Sequence, residues 1–230
     1  MGLSHSPKIV TDGLVLYLDA ANPKSYPGSG TTIYDLSGND NSGSFAGNVS
    51  YSTDNKGTLD FDGSSDYITC NVGDEARIFA EGFTVNMIVQ VDNLTNTTTS
   101  FFSNYISTAS GTAFALKTYS GKLEFRSYGI PVTVSSPNNF PIGEWIMISV
   151  SWYPGQYYMY ENAELVLSGG TSSTYAPSQG NIIRFCGGAY SMGVNADMDG
   201  RMAIAQVYNK PLSATQIKQL FNSFRGRFNL

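Results

Sequence analysis

Between Phe83 and Val91 the chain alternates, with Phe83, Val85, Met87, Val89 and Val91 on one side and Thr84, Asn86 and Gln90 on the other. A period of two is the mark of an extended strand with one face in a core, and it does not fit a helix. Similar signals recur over residues 14–18, 66–72, 113–119, 122–128, 145–153, 156–160, 163–168 and 181–187. Ser120-Gly121 and Pro154-Gly155 are two-residue links between such runs, so both pairs are expected to be tight hairpins. Short strands with a turn roughly every 8–12 residues predict an all-β sandwich or barrel. No helical period intervenes, so parallel crossover units are not expected.

Composition supports this. The chain has 15 Tyr, 13 Phe and 24 Gly, and only 13% of its 230 residues are charged. Aromatic side chains suit a pleated, half-buried surface, and Gly, Asn, Asp and Ser supply turns. No shift in composition marks a boundary, so residues 13–230 read as one domain behind an N-terminal arm at 1–12. A domain of this length buries about 70% of its unfolded surface, enough for a core without staples. Residues 22–48 are too polar for that core, interrupted only by Ile33-Tyr34 and Leu36.

One helix is expected, over 213–225. Ser213 and Gln216 have the spacing of a capping box, and Pro211 fixes the entry. Ile217, Leu220, Phe221 and Phe224 then form one apolar stripe, and Gly226 reads as the stop. Such a stripe is expected to cap an open end of the sandwich.

Net charge is −5, which argues against nucleic acid or an anionic membrane as partner. Residues 1–80 carry ten acids against four bases, whereas the last thirty carry Arg201, Lys210, Lys218, Arg225 and Arg227 and no acid. The basic end reads as a solvated helix face, with a docking surface as the sharper alternative. No apolar run approaches the ~18 residues of a membrane span. Residues 1–8 lack the pattern of a secretory signal, so the chain is expected to be made and kept soluble. Cys70 and Cys186 lie within strand signals and are expected to be free, small apolar residues rather than a bridge. Asn93-Leu-Thr95 and Asn96-Thr-Thr98 match the glycosylation pattern, which matters only in a eukaryotic secretory context.

Catalytic constellations are sparse. The single histidine, His5, falls in the arm, so neither a triad nor a histidine-rich metal site is expected. Asp60 and Asp62, spaced i, i+2, could share a strand face, whereas Glu161 and Glu164, three apart at a hairpin, would not, and Asp62-Gly63 reads more simply as a turn. Oxygen-rich clusters at Asp60, Asp62 and Asp66, at Asp35 to Asp40, and at Asn195 to Asp199 make Asp62, Asp66, Asp197 and Asp199 candidate calcium ligands. Trp152, Tyr157, Tyr158 and Tyr160, with Tyr153, crowd one hairpin. They form either a stacking platform for a sugar or a set of core and interface aromatics.

Three segments carry a family resemblance. The opening, Gly13-Leu-Val-Leu-Tyr-Leu-Asp-Ala-Ala-Asn-Pro-Lys-Ser-Tyr-Pro-Gly-Ser-Gly30, the turn Tyr34-Asp-Leu-Ser-Gly-Asn39, and Phe61-Asp-Gly-Ser-Ser-Asp-Tyr-Ile68 resemble laminin-G-like, concanavalin A-type domains. The end, Val207-Tyr-Asn-Lys-Pro-Leu-Ser213 with Arg225-Gly-Arg-Phe228, is similar to the same group, in the variant common among virion proteins of tailed, T4-like phages. The resemblance implies a two-sheet antiparallel jelly-roll sandwich with one short C-terminal α-helix. It also implies a non-enzymatic role on the virion, as a capsid decoration or neck or tail appendage that contacts other virion proteins. A homo-oligomer within the assembly and contact with host or environmental glycans are further expectations, with a free lectin as the alternative and a glycan-cleaving enzyme third. Strand edges, the 22–48 loop and the arm are the expected assembly surfaces. Many relatives carry a calcium-linked acidic pair before the Tyr-Asn motif. Here those positions are Ala203 and Ile204, so calcium does not carry over directly.

Overall fold

The computed structural model describes residues 8–73, 81–94, 98–104, 113–128, 132–170, 182–188 and 196–230. Among these, sixteen strands precede one helix. In chain order they are β1 (Leu14–Asp19), β2 (Thr32–Ile33), β3 (Gly43–Ala46), β4 (Ser50–Ser52), β5 (Thr58–Asp62), β6 (Tyr67–Asn71), β7 (Phe83–Asn93) and β8 (Thr98–Ser103). The second half holds β9 (Ala113–Tyr119), β10 (Lys122–Tyr128), β11 (Val132–Ser135), β12 (Trp145–Tyr153), β13 (Gln156–Glu161), β14 (Glu164–Gly170), β15 (Ile182–Phe185) and β16 (Asp199–Tyr208), then α1 (Ala214–Phe228).

All pairings are antiparallel and fall into two sheets. The first runs β14-β13-β12-β7-β16-β5-β4, and β1 also pairs with β16. The second runs β11-β10-β9-β8-β15-β6-β3-β2. The two facing surfaces enclose the main core, which holds Val85, Met87, Val89, Ile146, Ile148, Leu116, Phe125, Ile183 and Phe185. This is the concanavalin A-like sandwich that the resemblance implies. Both expected hairpins form, with Ser120 and Gly121 at φ 49° and 76° as a tight two-residue turn requires.

The helix is placed differently from the expectation. Ile217, Leu220, Phe221, Phe224 and Phe228 pack on Ile88, Met147, Ala203, Ile204 and Tyr208, the side of the first sheet that faces away from the main core. α1 is thus a third layer across a sheet face rather than a plug at the end of the sandwich. β7 consequently has both faces buried: Asn86, on its polar side, is fully enclosed and donates from its Nδ2 to Gln206 (2.9 Å) and accepts from Ser149 (2.7 Å). The capping box forms as expected, with Gln216 N–H donating to Ser213 Oγ (3.3 Å) and Ser213 N–H donating to Gln216 Oε1 (2.9 Å).

Gly226 does not end the helix. α1 continues to Phe228, and Asn229 in the left-handed region (φ 56°) provides the cap. The end of the arm is also tied down. Val10 is buried in the helix layer, its carbonyl accepts from the Tyr208 hydroxyl (3.0 Å), and the Lys8 carbonyl accepts from Gln219 (2.6 Å). His5 and Asn96 lie outside the described residues. Both cysteines are free and buried, and burial pushes both thiols up.

Candidate functional site

The hairpin of β12 and β13 splits its aromatics between two interiors. Trp152 is fully buried, packed on Phe83 and Phe114 at 5.7 and 5.0 Å between ring centres. Tyr157 also faces the main core, with its hydroxyl end against Gly169. Tyr160 points the other way but is buried beside α1. These three do not form the exposed platform. Alternation sends half of the hairpin's side chains into the sandwich, and the helix layer covers Tyr160 on the opposite face. Tyr158 and Tyr153 stay at the surface, rings 6.4 Å apart, Tyr158 half-buried and Tyr153 exposed.

The aspartates of the other candidate set act as ties between turns. Asp66 is buried, and its two oxygens accept from the N–H groups of Asn48 (2.6 Å) and Asp62 (3.1 Å). Both oxygens of Asp197 also accept backbone N–H, from Ser65 (2.9 Å) and Gly188 (3.1 Å). Asp62 caps its own turn by accepting from Ser64 (2.8 Å). Asp199 lies across from Asp62 in the β5–β16 pairing, and burial, then the charges of Asp92 and Asp62, push its carboxyl up. The Asp66 and Asp197 carboxylates are thus turned toward amide hydrogens, whose partial positive charge opposes a cation. Among the described residues no set of three or more His, Cys, Asp or Glu is gathered to hold a metal ion. Among the described residues Asp62, Asp66, Asp197 and Asp199 are instead tied into turns and a strand pair. Ala203 and Ile204, at the family's acidic positions, are buried under α1.

The Tyr34-to-Asn39 turn is likewise structural. A bulge between Leu14 and Leu16 breaks the β1 ladder, and the Val15 carbonyl instead accepts from Ser37 Oγ (2.8 Å), Asn39 (3.1 Å) and Asn41 (2.9 Å). Asp35 organises those donors by accepting from the N–H groups of Tyr17, Ser37 and Asn41 at 2.8–3.1 Å.

Where the two ends of the chain meet, the structure does form a recess. The Arg227 guanidinium, in the last turn of α1, donates to Asp19 Oδ1 (2.7 Å) and to the carbonyls of Asn55 and Gly57. Asn55 returns a bond to the Arg227 carbonyl (3.1 Å). Asp19, at the end of β1, also accepts from the Tyr17 hydroxyl (3.1 Å) and the Ala21 N–H (3.0 Å). Burial, then the Asp19 charge, holds the Tyr17 phenol far above its usual range, so it remains a donor. Arg227 and Asp19 side chains are only 12% and 14% exposed, which makes the pair a fixed floor rather than a mobile surface bridge. Above it opens a cleft of about 590 Å³, lined on one side by Ala21, Asn22, Pro23 and Lys56 and on the other by Asn222, Ser223, Phe224 and Gly226. Its volume falls in the ~300–1,000 Å³ range of small-ligand sites. Its fixed side-chain charges, Asp19, Lys56 and Arg227, sum to about +1.

None of these residues was a sequence candidate. The signal was present, since Asp19 sits in the opening segment that carries the resemblance and Arg227 in the closing one, with opposite charges. What hid it was the reading of the C-terminal basic residues as a solvated helix face.

Comparison with known proteins bears on the whole chain. Residues 62–218 match the Laminin_G_3 family, described as the concanavalin A-like lectin/glucanases superfamily. The chain belongs to this superfamily. No curated protein sequence matches it. Among solved structures, the receptor-binding domain of a botulinum neurotoxin C/D mosaic serotype superposes with a TM-score of 0.68 at 16% identity, over 92% of this chain and 51% of that one. The binding domain of botulinum neurotoxin DC in complex with rat synaptotagmin II gives 0.72 at 16% identity, over 94% and 52%. The same domain in complex with SialylT gives 0.71 at 16%, over 93% and 52%. At these identities the likeness is one of fold, and the chain spans about half the length of each. The superfamily match stops short of the cleft, since Asp19 and Arg227 lie outside it.

Proposed function

We propose that this chain is a non-catalytic, lectin-like binding module that serves as a surface subunit of a phage virion, a capsid decoration or a neck or tail appendage, and that its ligand is a glycan. The observation that carries the binding role is the rigid polar cleft, built where the two family-like ends converge on a lectin-type sandwich. Solved relatives of the fold add support: they include botulinum neurotoxin binding domains in complex with SialylT or rat synaptotagmin II, and botulinum neurotoxin type C, whose cell entry depends on interaction with two ganglioside molecules. The virion assignment rests on the resemblance of the opening and closing segments to phage proteins.

Two carboxylates outside the cleft are held in ion pairs. Asp60, half of the nominated acid pair, is tied to Arg201 (3.2 Å). Glu164, in the β13–β14 hairpin, is tied to Lys218 (2.9 Å). Two experiments test the proposal. Mass spectrometry of purified virions should find this subunit, and a glycan array should give discrete hits. A subunit missing from virions refutes the assembly role, and a blank array refutes the lectin role. Glycan cleavage lost in Asp60→Asn or Asp62→Asn would replace binding with hydrolysis.

A further inference from the structure

Gly226 lies inside α1, and nothing in the fold requires a glycine there. Its φ is outside the left-handed region, and the helix is capped three residues later by Asn229. A Cβ built on it would meet no heavy atom within 4 Å. Gly43 shows the contrast: a Cβ there would come within 2.6 Å of Ile68, so close packing demands it. In a helix interior glycine is the poorest former after proline, because it gives up the most backbone freedom on folding. A Cβ there would stand in open space, and the residue lines the cleft wall beside Asn222 and Ser223. Helical side chains lean back over the preceding turn, so any larger residue at 226 would cover that wall.

We propose that Gly226 keeps the cleft open so that a ligand can lie directly against the helix backbone, and that the ligand is the uncharged, polyhydroxylated face of a sugar. This rests on the glycan-binding reading above and names its site and ligand class. The two walls of the cleft suit a neutral ligand. The helix wall is the carbonyl end of α1, which carries partial negative charge and offers acceptors to hydroxyl donors. The Arg225 carbonyl is used by the N–H groups of Asn229 and Leu230 and the Arg227 carbonyl by Asn55, so the backbone is held in place on either side of Gly226. The loop wall supplies donors from Asn22 and from Lys56, which is exposed and forms no ion pair among the described residues. Vicinal hydroxyls can donate to one wall and accept from the other. A carboxylate or sulfate would find Lys56 as its one uncommitted cation among the described residues, on the wall opposite the negative helix end, with the Arg227 guanidinium already engaged by Asp19, Asn55 and Gly57.

The test is an array of neutral, sialylated and sulfated oligosaccharides probed with the wild type, Gly226→Leu and Gly226→Ala, followed by titration calorimetry with the strongest wild-type hit and a thermal melt of each protein. The inference expects hits among neutral glycans. It expects at least a tenfold loss of affinity in Gly226→Leu, together with a Tm raised by about 2–4 °C because the helix gains a better former. Gly226→Ala should show a similar rise in Tm with a smaller loss of affinity. Stability and binding moving in opposite directions is the signature that a merely structural glycine cannot give. Unchanged affinity in Gly226→Leu overturns the site while leaving the lectin reading standing. Hits confined to sialylated or sulfated glycans overturn the ligand class. A blank wild-type array overturns the lectin reading itself, and this inference with it.

Discussion

The cleft beside Arg227 and the hairpin of β12 and β13 both concentrate the side chains that recognise ligands, yet they use them in opposite ways. The hairpin has the denser sequence signal, five aromatics in nine residues, and the structure spends three of them on packing. The cleft has almost no local signal. Its floor joins Asp19 to Arg227, 208 residues apart, and leaves polar groups from two different segments facing open space. Residue type along a strand says little about a site until both faces of that strand are known. Here a third layer claims the face that alternation would have left to solvent.

The contrast can be pressed with variants. Trp152→Ala should have the largest effect, a loss of about 3–5 kcal/mol in urea unfolding, because it empties a fully buried site against Phe83 and Phe114. Arg227→Ala should follow, at about 3–4 kcal/mol, because it strands the Asp19 carboxylate at 14% exposure without its counter-charge. A loss below about 1 kcal/mol would instead class the pair with ordinary surface bridges and remove the rigid floor from the account. Tyr158→Ala, which removes a ring packed on the helix layer, should cost about 1–2 kcal/mol, Tyr153→Ala should change stability by less than about 1 kcal/mol, and both should leave glycan affinity intact. Lost affinity in either would move the site to the hairpin.

The smallest effect belongs to the aspartate end of the molecule. The Asp199 carboxyl is held up by burial and by Asp92 and Asp62. Its folded pKa exceeds its unfolded one, so the protonated form is favoured in the native state. That contribution is present at low pH and is lost as pH rises through the folded value. At pH 7 Asp199→Asn should therefore raise Tm by about 1–2 °C, and the gain should shrink as pH falls toward the carboxylate range. A gain independent of pH would show that the buried Asp199 charge is not the cause.

Much of the fold was legible because alternation and two-residue turns are local. The runs at 113–119, 122–128 and 145–153 coincide with β9, β10 and β12. Several of the strands that were missed have weak local patterns, whereas β16, also missed, is apolar on both faces because it lies between the core and α1 and so does not alternate. β8 is largely hydroxyl residues, and β3 sits inside the polar 22–48 stretch and is held by the Gly43 contact with Ile68. That stretch owes its order to side-chain bonds from Asp35, Ser37, Asn39 and Asn41 to the backbone, which hydropathy does not register. The helix was legible in its cap and stripe, but its docking face was not. That depends on Ile88, Met147 and Ile204 standing on the far side of strands whose near side fills the core. The candidate site was the least legible, since it exists only once the two ends of the chain are side by side.

Amide chemical-shift mapping with the neutral oligosaccharide that binds most strongly is the most direct test of the central claim. The account expects perturbations centred on Ala21, Lys56, Asn222 and Gly226, around the Arg227 floor. Perturbations centred on Tyr153 and Tyr158, with the cleft silent, would contradict it.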